Sequence, residues 1–139
     1  MSINWNKYIG KPYVFNGRSS ESFDCIGLLA VFYKDQGWPE DFDDGRPIEP
    51  NWYELEPYRF ARYMVKHFDR TEDINDMSEG DIILWEINGE SHTGIYAGYG
   101  RFLSTFPPIS MFNAGKSFLG RLRNYPNLKI TGLFKRRHL

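Results

Sequence analysis

The sequence predicts an α+β domain in which N-terminal helices pack on a small antiparallel sheet. Helical periodicity is confined to the first half of the chain, and strand-like runs separated by short turns fill the second half. Between two of those runs stands Asn88-Gly89, the strongest two-residue signal for a β-hairpin. At 139 residues, with no linker or repeat, the chain fits a single domain covering residues 1–139.

The N-terminal segment is predicted to form a short helix followed by extended chain. Residues 5–9 carry apolar side chains at helical spacing, and Gly10 suits a helix end. Pro12 then disfavours helix in the residue before it. Residues 16–20 (NGRSS) predict a turn.

Residues 26–33 are apolar on nearly every side and predict a central helix. Ser22 or Asp24 is suited to cap its N-terminus, and residues 36–39 (QGWP) end it.

An acidic segment and an amphipathic helix are expected next. Residues 39–51 contain Pro, Gly and several carboxylates, which predicts a solvated surface loop and no calcium site. A peripheral helix, with Pro57 in its first turn, is predicted from apolar residues at helical spacing: Tyr58, Ala61, Val65 and Phe68. Residues 69–73 are expected to be solvated loop.

Strand patterns begin after a turn at residues 77–81. Apolar runs predict strands at residues 82–87, 92–98, 101–105 and 129–134. A basic tail, residues 135–138, is predicted to be a solvated terminus. Phe102, Phe106, Phe112 and Phe118 are expected in the core. The alternatives are that, together with Pro107-Pro108, they line a groove or dock on another protein.

Composition excludes several classes of partner. With 17 basic and 18 acidic residues, the chain offers no general attraction to nucleic acid or to an anionic membrane. One cysteine and three histidines exclude a disulfide and make a metal site unexpected, and no cofactor is implied. The first ten residues hold no apolar signal-peptide core, and no stretch is long enough to span a bilayer.

Cys25 is a candidate nucleophile because it opens the predicted central helix. Unpaired N–H groups and the positive end of the helix dipole favour the thiolate. The alternative is a small buried side chain, which is the usual environment of a free cysteine.

His92 is the best candidate for the base that a cysteine nucleophile needs. It lies at the start of a predicted strand, just past the hairpin turn. Its alternative is a polar residue at a strand edge without a catalytic task. His67 is expected to face solvent, and His138 belongs to the basic tail.

Two motifs carry a resemblance to the NlpC-type cell-wall cysteine peptidases. Residues 13–18 (YVFNGR) and 23–28 (FDCIGL) resemble that family's Tyr-x-Trp-Gly-Gly and Phe-Asp-Cys-Ser-Gly-Leu. Residues 80–85 (GDIILW) and 91–96 (SHTGIY) resemble its Gly-Asp-Leu-x-x-Phe and Ser-His-Val-Gly-Ile-Tyr. The resemblance covers residues 8–105 in the family's order.

The resemblance implies a papain-like fold and hydrolysis of an amide in the peptidoglycan stem peptide, typically the γ-D-glutamyl to diamino-acid bond. Cys25 attacks, His92 transfers the proton, and the Cys25 backbone N–H helps to stabilise the oxyanion. Tyr13 stands at the family's tyrosine position, where its hydroxyl steadies the thiolate or oxyanion. Its alternative role is core packing.

Two positions depart from the family pattern. Ser104 stands where the family usually has a third polar catalytic residue, often His, so imidazole orientation falls to Ser104, to Thr105 or to a backbone carbonyl. Ile26 replaces a serine that, with the preceding Asp, helps to hold the substrate's free amine. Asp24 either keeps that role or serves only as a helix cap.

The sequence shows no export signal and no wall-binding repeats, and in this it resembles the tail-associated lysins of bacteriophages. We therefore expect a virion protein that contacts other tail-tip proteins and reaches the peptidoglycan with the tail. One alternative is a tail-tip or assembly component that has lost efficient catalysis. Another is an amidase or acyltransferase that uses the same Cys25 and His92.

Overall fold

The computed structural model describes residues 3–46, 56, 58–87, 90–106 and 115–137. These parts of the chain contain helices α1 (Cys25–Gln36) and α2 (Arg59–His67) and short 3₁₀ turns at Trp5–Tyr8, Ile74–Asp76 and Leu122–Asn124. The strands are β1 (Asp69–Thr71), β2 (Ile82–Ile87), β3 (Glu90–Gly98), β4 (Arg101–Ser104), β5 (Phe118–Arg121) and β6 (Lys129–Lys135).

The six strands form one antiparallel sheet in the order β1-β6-β2-β3-β4-β5. The helices precede the sheet in the chain, so the predicted α+β class is confirmed. Strands β2 and β3 form a hairpin whose last pair is Ile87 and Glu90. The predicted turn residues Asn88 and Gly89 lie outside the described residues, as do Pro57, Pro107-Pro108, Phe112 and His138.

Helix α1 is the central helix that the sequence predicts. Asp24 caps its N-terminus, and Gly37 ends it in a left-handed conformation with φ of 76°. Its side chains pack on one face of the sheet, where Ile82, Leu84 and Ile95 alternate inward. The opposite face carries a second apolar cluster built on Trp85, Phe102, Phe106 and Phe118.

Helix α2 buries only part of the predicted apolar set: Phe68, at its C-terminal end, is buried and Ala61 packs against the core. Phe60, Tyr63 and Met64 are buried, whereas Tyr58 and Val65 are 69% and 60% exposed. Both sets have helical spacing, so periodicity alone does not choose between them. The Arg59 guanidinium, in the first turn of α2, binds Asp44 of the preceding loop.

The prediction of a loop at residues 69–73 is wrong for its first half. Asp69–Thr71 forms edge strand β1, which pairs with Leu133–Lys135 of β6. The basic tail is docked as well, since the Arg136 guanidinium lies 3.5 Å from the Trp38 ring and Arg137 Nε lies 3.0 Å from Asp69. Strand β1 forms because residues of β6, distant in the sequence, pair with it. Its own polar residues show no strand pattern.

Candidate active site

Two residues of the Cys25 motif, Asp24 and Gly27, fix the start of α1 and with it Cys25. Asp24 Oδ1 accepts a hydrogen bond from the Gly27 N–H at 2.7 Å, and its Oδ2 accepts one from the Asn16 N–H at 2.8 Å. A side chain at position 27 would place its Cβ 1.8 Å from the Gly17 carbonyl oxygen, so only glycine fits. The helix end and the loop before it are therefore locked together, with Cys25 as the first helical residue.

Strand β3 meets this helix end at Thr93. The backbone N–H of Thr93 lowers the pKa of the Cys25 thiol, as do the N–H groups of Ile26 and of Cys25 itself. His92 immediately precedes Thr93 in β3. The fold thus brings the cysteine to the strand that carries the candidate base.

His92 is half-buried in an aromatic setting. It pairs with Trp85 across the β2–β3 ladder, and its ring centroid lies 4.9 Å from that of Phe106. Burial lowers the pKa of His92 to about 4. The imidazole is therefore neutral near pH 7, which is the form that accepts a proton.

The thiol of Cys25 differs from the expected thiolate. Burial, followed by the nearby negative charge of Asp24, raises its pKa to about 12, although three backbone N–H groups act in the opposite direction. Cys25 as a residue is partly exposed. The resting pair is a neutral thiol and a neutral imidazole, because burial outweighs the helix dipole.

Ser104 is buried and contacts the backbone of β3. Its Oγ donates to the Thr93 carbonyl oxygen at 2.8 Å, in a register that pairs Leu103 with Ile95. Thr105, the other candidate for orienting His92, has a buried hydroxyl without a partner among the described residues. A direct action of Ser104 on the imidazole stays a prediction.

Tyr13 lies beside the nucleophile's motif. It forms a parallel bridge with Phe23, two residues before Cys25, and its N–H donates to the Gly115 carbonyl oxygen at 2.8 Å. Its catalytic role stays a prediction.

Two other sequence expectations concern Asp24 and His67. The predicted cap is Asp24, which is 8% exposed and uses both carboxylate oxygens for backbone N–H groups. His67 lies on α2, stacks on Tyr63 at 4.2 Å and approaches Glu40 at 3.4 Å, so it is not simply solvent-facing.

Sequence reasoning missed the contribution of Thr93. Its backbone N–H acts on the thiol, and a main-chain group leaves no signature in residue type. Only the approach of β3 to the end of α1 identifies it.

Comparison with known proteins decides the family. The model of the NlpC/P60 family matches residues 10–113, which include both the Cys25 and the His92 motifs. The chain belongs to the NlpC/P60 family. The resemblance seen in the two motifs is therefore confirmed.

Relatives of this NlpC/P60 chain share its fold. It is 35% identical over 135 residues to the gamma-DL-glutamyl hydrolase of Bacillus subtilis (strain 168), covering 89% of this chain and 28% of that protein. NlpC2 from Trichomonas vaginalis has a TM-score of 0.66 at 21% identity, covering 97% of this chain and 44% of that one. The NlpC/p60 domain of peptidoglycan hydrolase SagA has a TM-score of 0.54 at 21% identity, covering 93% and 91%.

No metal site is evident in the portion of this NlpC/P60 chain that the structure describes: it has no group of three or more His, Cys, Asp or Glu side chains placed to hold an ion. Within the same residue ranges, neither helix has the length and apolar character needed to cross a bilayer.

Proposed function

We propose that this protein is a cysteine hydrolase that cleaves γ-glutamyl amide bonds, in particular the bond from D-glutamate to the diamino acid of a peptidoglycan stem peptide. The observation that carries the proposal is the effect of the Thr93 N–H on the Cys25 thiol, because Thr93 directly follows His92 in β3. Similarity to a gamma-DL-glutamyl hydrolase supports the type of bond, although this chain spans 28% of that relative's length.

The first half of the reaction forms a thioester. Cys25 Sγ attacks the γ-carbonyl carbon while neutral His92 takes the thiol proton. Because the resting thiol is neutral, proton transfer accompanies attack. The Cys25 N–H, in the first turn of α1, is placed to stabilise the oxyanion.

The second half releases the products. Collapse of the oxyanion breaks the C–N bond, and the departing amine takes the proton from His92. Water then attacks the thioester, with His92 again accepting a proton, and the thiol is regenerated. Tyr13 steadies the oxyanion through its hydroxyl, and Ser104 positions β3 beneath His92.

The test is incubation of the purified protein with muropeptides and with a synthetic γ-D-glutamyl-diamino acid peptide. New free amines are expected with the wild type and not with Cys25→Ala or His92→Gln. Ser78→Ala, which changes an exposed residue outside the site, is the matched control. Equal release by wild type and Cys25→Ala would refute the assignment.

A second candidate is a structural component with the same fold and little activity. The raised pKa of Cys25 favours it, because a neutral thiol is a weak nucleophile. A wild type as inert as Cys25→Ala on every substrate would support this candidate.

Adding a free amine acceptor to the assay separates hydrolysis from acyl transfer, since a transferase yields the new amide.

Delivery by a bacteriophage tail is part of the same proposal. It is an expectation from the sequence alone. Peptide mass spectrometry of purified virions is the test: detection among the tail proteins supports delivery with the tail, and its absence from virions contradicts it.

A further inference from the structure

Arg18 borders the segment that leads to the nucleophile and has no part in the mechanism above. Its backbone forms an antiparallel bridge with Phe23, two residues before Cys25. Tyr13 bridges the same Phe23, so Tyr13 and Arg18 both border the segment that leads into α1.

The guanidinium of Arg18 is held in place without being neutralised. Its Nη1 donates to the Asp41 carbonyl oxygen at 2.8 Å, and its Nη2 donates to the Phe42 carbonyl oxygen at 3.0 Å. Both acceptors are uncharged, and no carboxylate of the described residues forms an ion pair with Arg18. The side chain is exposed, so its remaining N–H donors face solvent. An immobilised cation with open donors suits a carboxylate ligand.

The carboxylate nearest to Cys25 is closed to a cationic ligand. Asp24 is buried, and both of its oxygens accept backbone N–H groups. The positive charge of Arg18 acts on this carboxylate and lowers the pKa of Asp24 against the larger effect of burial. On the other side of Cys25 stands apolar Ile26. A substrate ammonium would therefore meet a saturated carboxylate and a nearby cation, whereas an anion would meet Arg18.

We propose that Arg18 is a specificity-determining residue that binds the free α-carboxylate of the γ-linked glutamyl residue on the acyl side of the scissile bond. A γ-linked glutamate extends the chain through its side-chain carboxyl, so its α-carboxylate stays free close to the bond that is cut. This proposal rests on the proposed function. The expected substrates are γ-glutamyl chains whose α-carboxylates are not amidated, and they do not need a free amino group.

The test uses a matched pair of γ-glutamyl peptides that differ only in the acyl residue, α-carboxylate against α-carboxamide. Wild type is expected to show a kcat/KM about 10- to 100-fold higher for the carboxylate. Arg18→Gln is expected to lose this preference and to cleave the carboxamide as wild type does. Arg18→Lys keeps the positive charge but lacks the planar guanidinium with its paired N–H donors, so it should retain part of the preference. Arg123→Gln, an exposed arginine in the turn after β5, is the control.

Three outcomes would overturn the inference. The wild type does not discriminate between the two peptides, or Arg18→Gln lowers kcat/KM for both peptides by the same factor. The third is that N-acetylated peptides are not cleaved whereas peptides with a free amine are. Thermal unfolding shows whether Arg18→Gln folds. If it does not, the ratio for Arg18→Lys against wild type decides. If wild type cleaves none of the peptides, it is the proposed function that fails.

Discussion

The hydroxyl of Ser104 donates a hydrogen bond to the carbonyl oxygen of Thr93 at 2.8 Å. Thr93 also follows His92, and its own N–H lowers the pKa of the Cys25 thiol. The serine therefore holds the part of β3 that carries His92 and lies near the start of α1.

Replacing Ser104 tests whether its role is structural. Ser104→Ala leaves a buried carbonyl without its partner, and we expect a loss of about 1–3 kcal/mol in the free energy of unfolding. Activity should fall by less than about tenfold, since the proton-transferring groups remain. Urea unfolding and peptide hydrolysis are the measurements, with Ser78→Ala as the exposed control. Unchanged stability with a loss of activity of about 100-fold or more would instead show that the hydroxyl acts on the imidazole.

The pH dependence of Cys25 alkylation tests the neutral resting pair. With the pKa of the thiol raised to about 12, the rate of reaction with iodoacetamide should rise steadily between about pH 6 and pH 9 without a plateau. His92→Gln should leave this profile unchanged, because His92, with a pKa of about 4, is already neutral there. A plateau near neutral pH that disappears in His92→Gln would reveal a thiolate–imidazolium pair.

Asp24 links helix capping to thiol chemistry. Asp24→Ala should lower the free energy of unfolding by about 1–2 kcal/mol, because the Gly27 N–H loses its cap, and Asp24→Asn should lose less. Removing the negative charge also lowers the pKa of Cys25, so Asp24→Asn should be alkylated faster than wild type at pH 8. Glu72→Ala, at an exposed position, serves as the stability control. Slower alkylation of Asp24→Asn would contradict the electrostatic effect.

The Asp44–Arg59 pair predicts a stability change in acid. The bidentate contact, with Nη2 at 2.6 Å from Oδ1, lowers the pKa of Asp44 to about 2. A lowered carboxyl pKa contributes stability above the unfolded value of about 3.9 and loses it as the pH falls toward 2. The stability difference between wild type and Asp44→Asn should therefore shrink across that range in urea unfolding. Asp43→Asn, whose carboxylate forms no ion pair in the described segments, should show no such trend. A difference independent of pH would contradict the assignment.

Local patterns predicted the elements whose signals lie within a few residues. The cap Asp24 and the stop Gly37 bound α1 as expected, and β2, β3, β4 and β6 fall where apolar runs predicted them. Strand β5 went unpredicted because its four residues acquire strand structure only by pairing with β4. The inward face of α2 was predicted only in part, because Ala61 and Phe68 pack inward as expected whereas Tyr58 and Val65 are exposed.

By itself, the sequence determined the α+β class, the family and the two residues, Cys25 and His92, on which a hydrolase would depend. Periodicity, helix caps and motif spacing depend on residues that are close in the sequence, so they can be recognised without coordinates. Only the tertiary structure decided that the Thr93 N–H acts on the thiol, that both carboxylate oxygens of Asp24 accept backbone N–H groups, and that the Arg18 guanidinium is held by two backbone carbonyls. It also decided the protonation of the site, because a pKa follows from burial and from charges that the fold brings together.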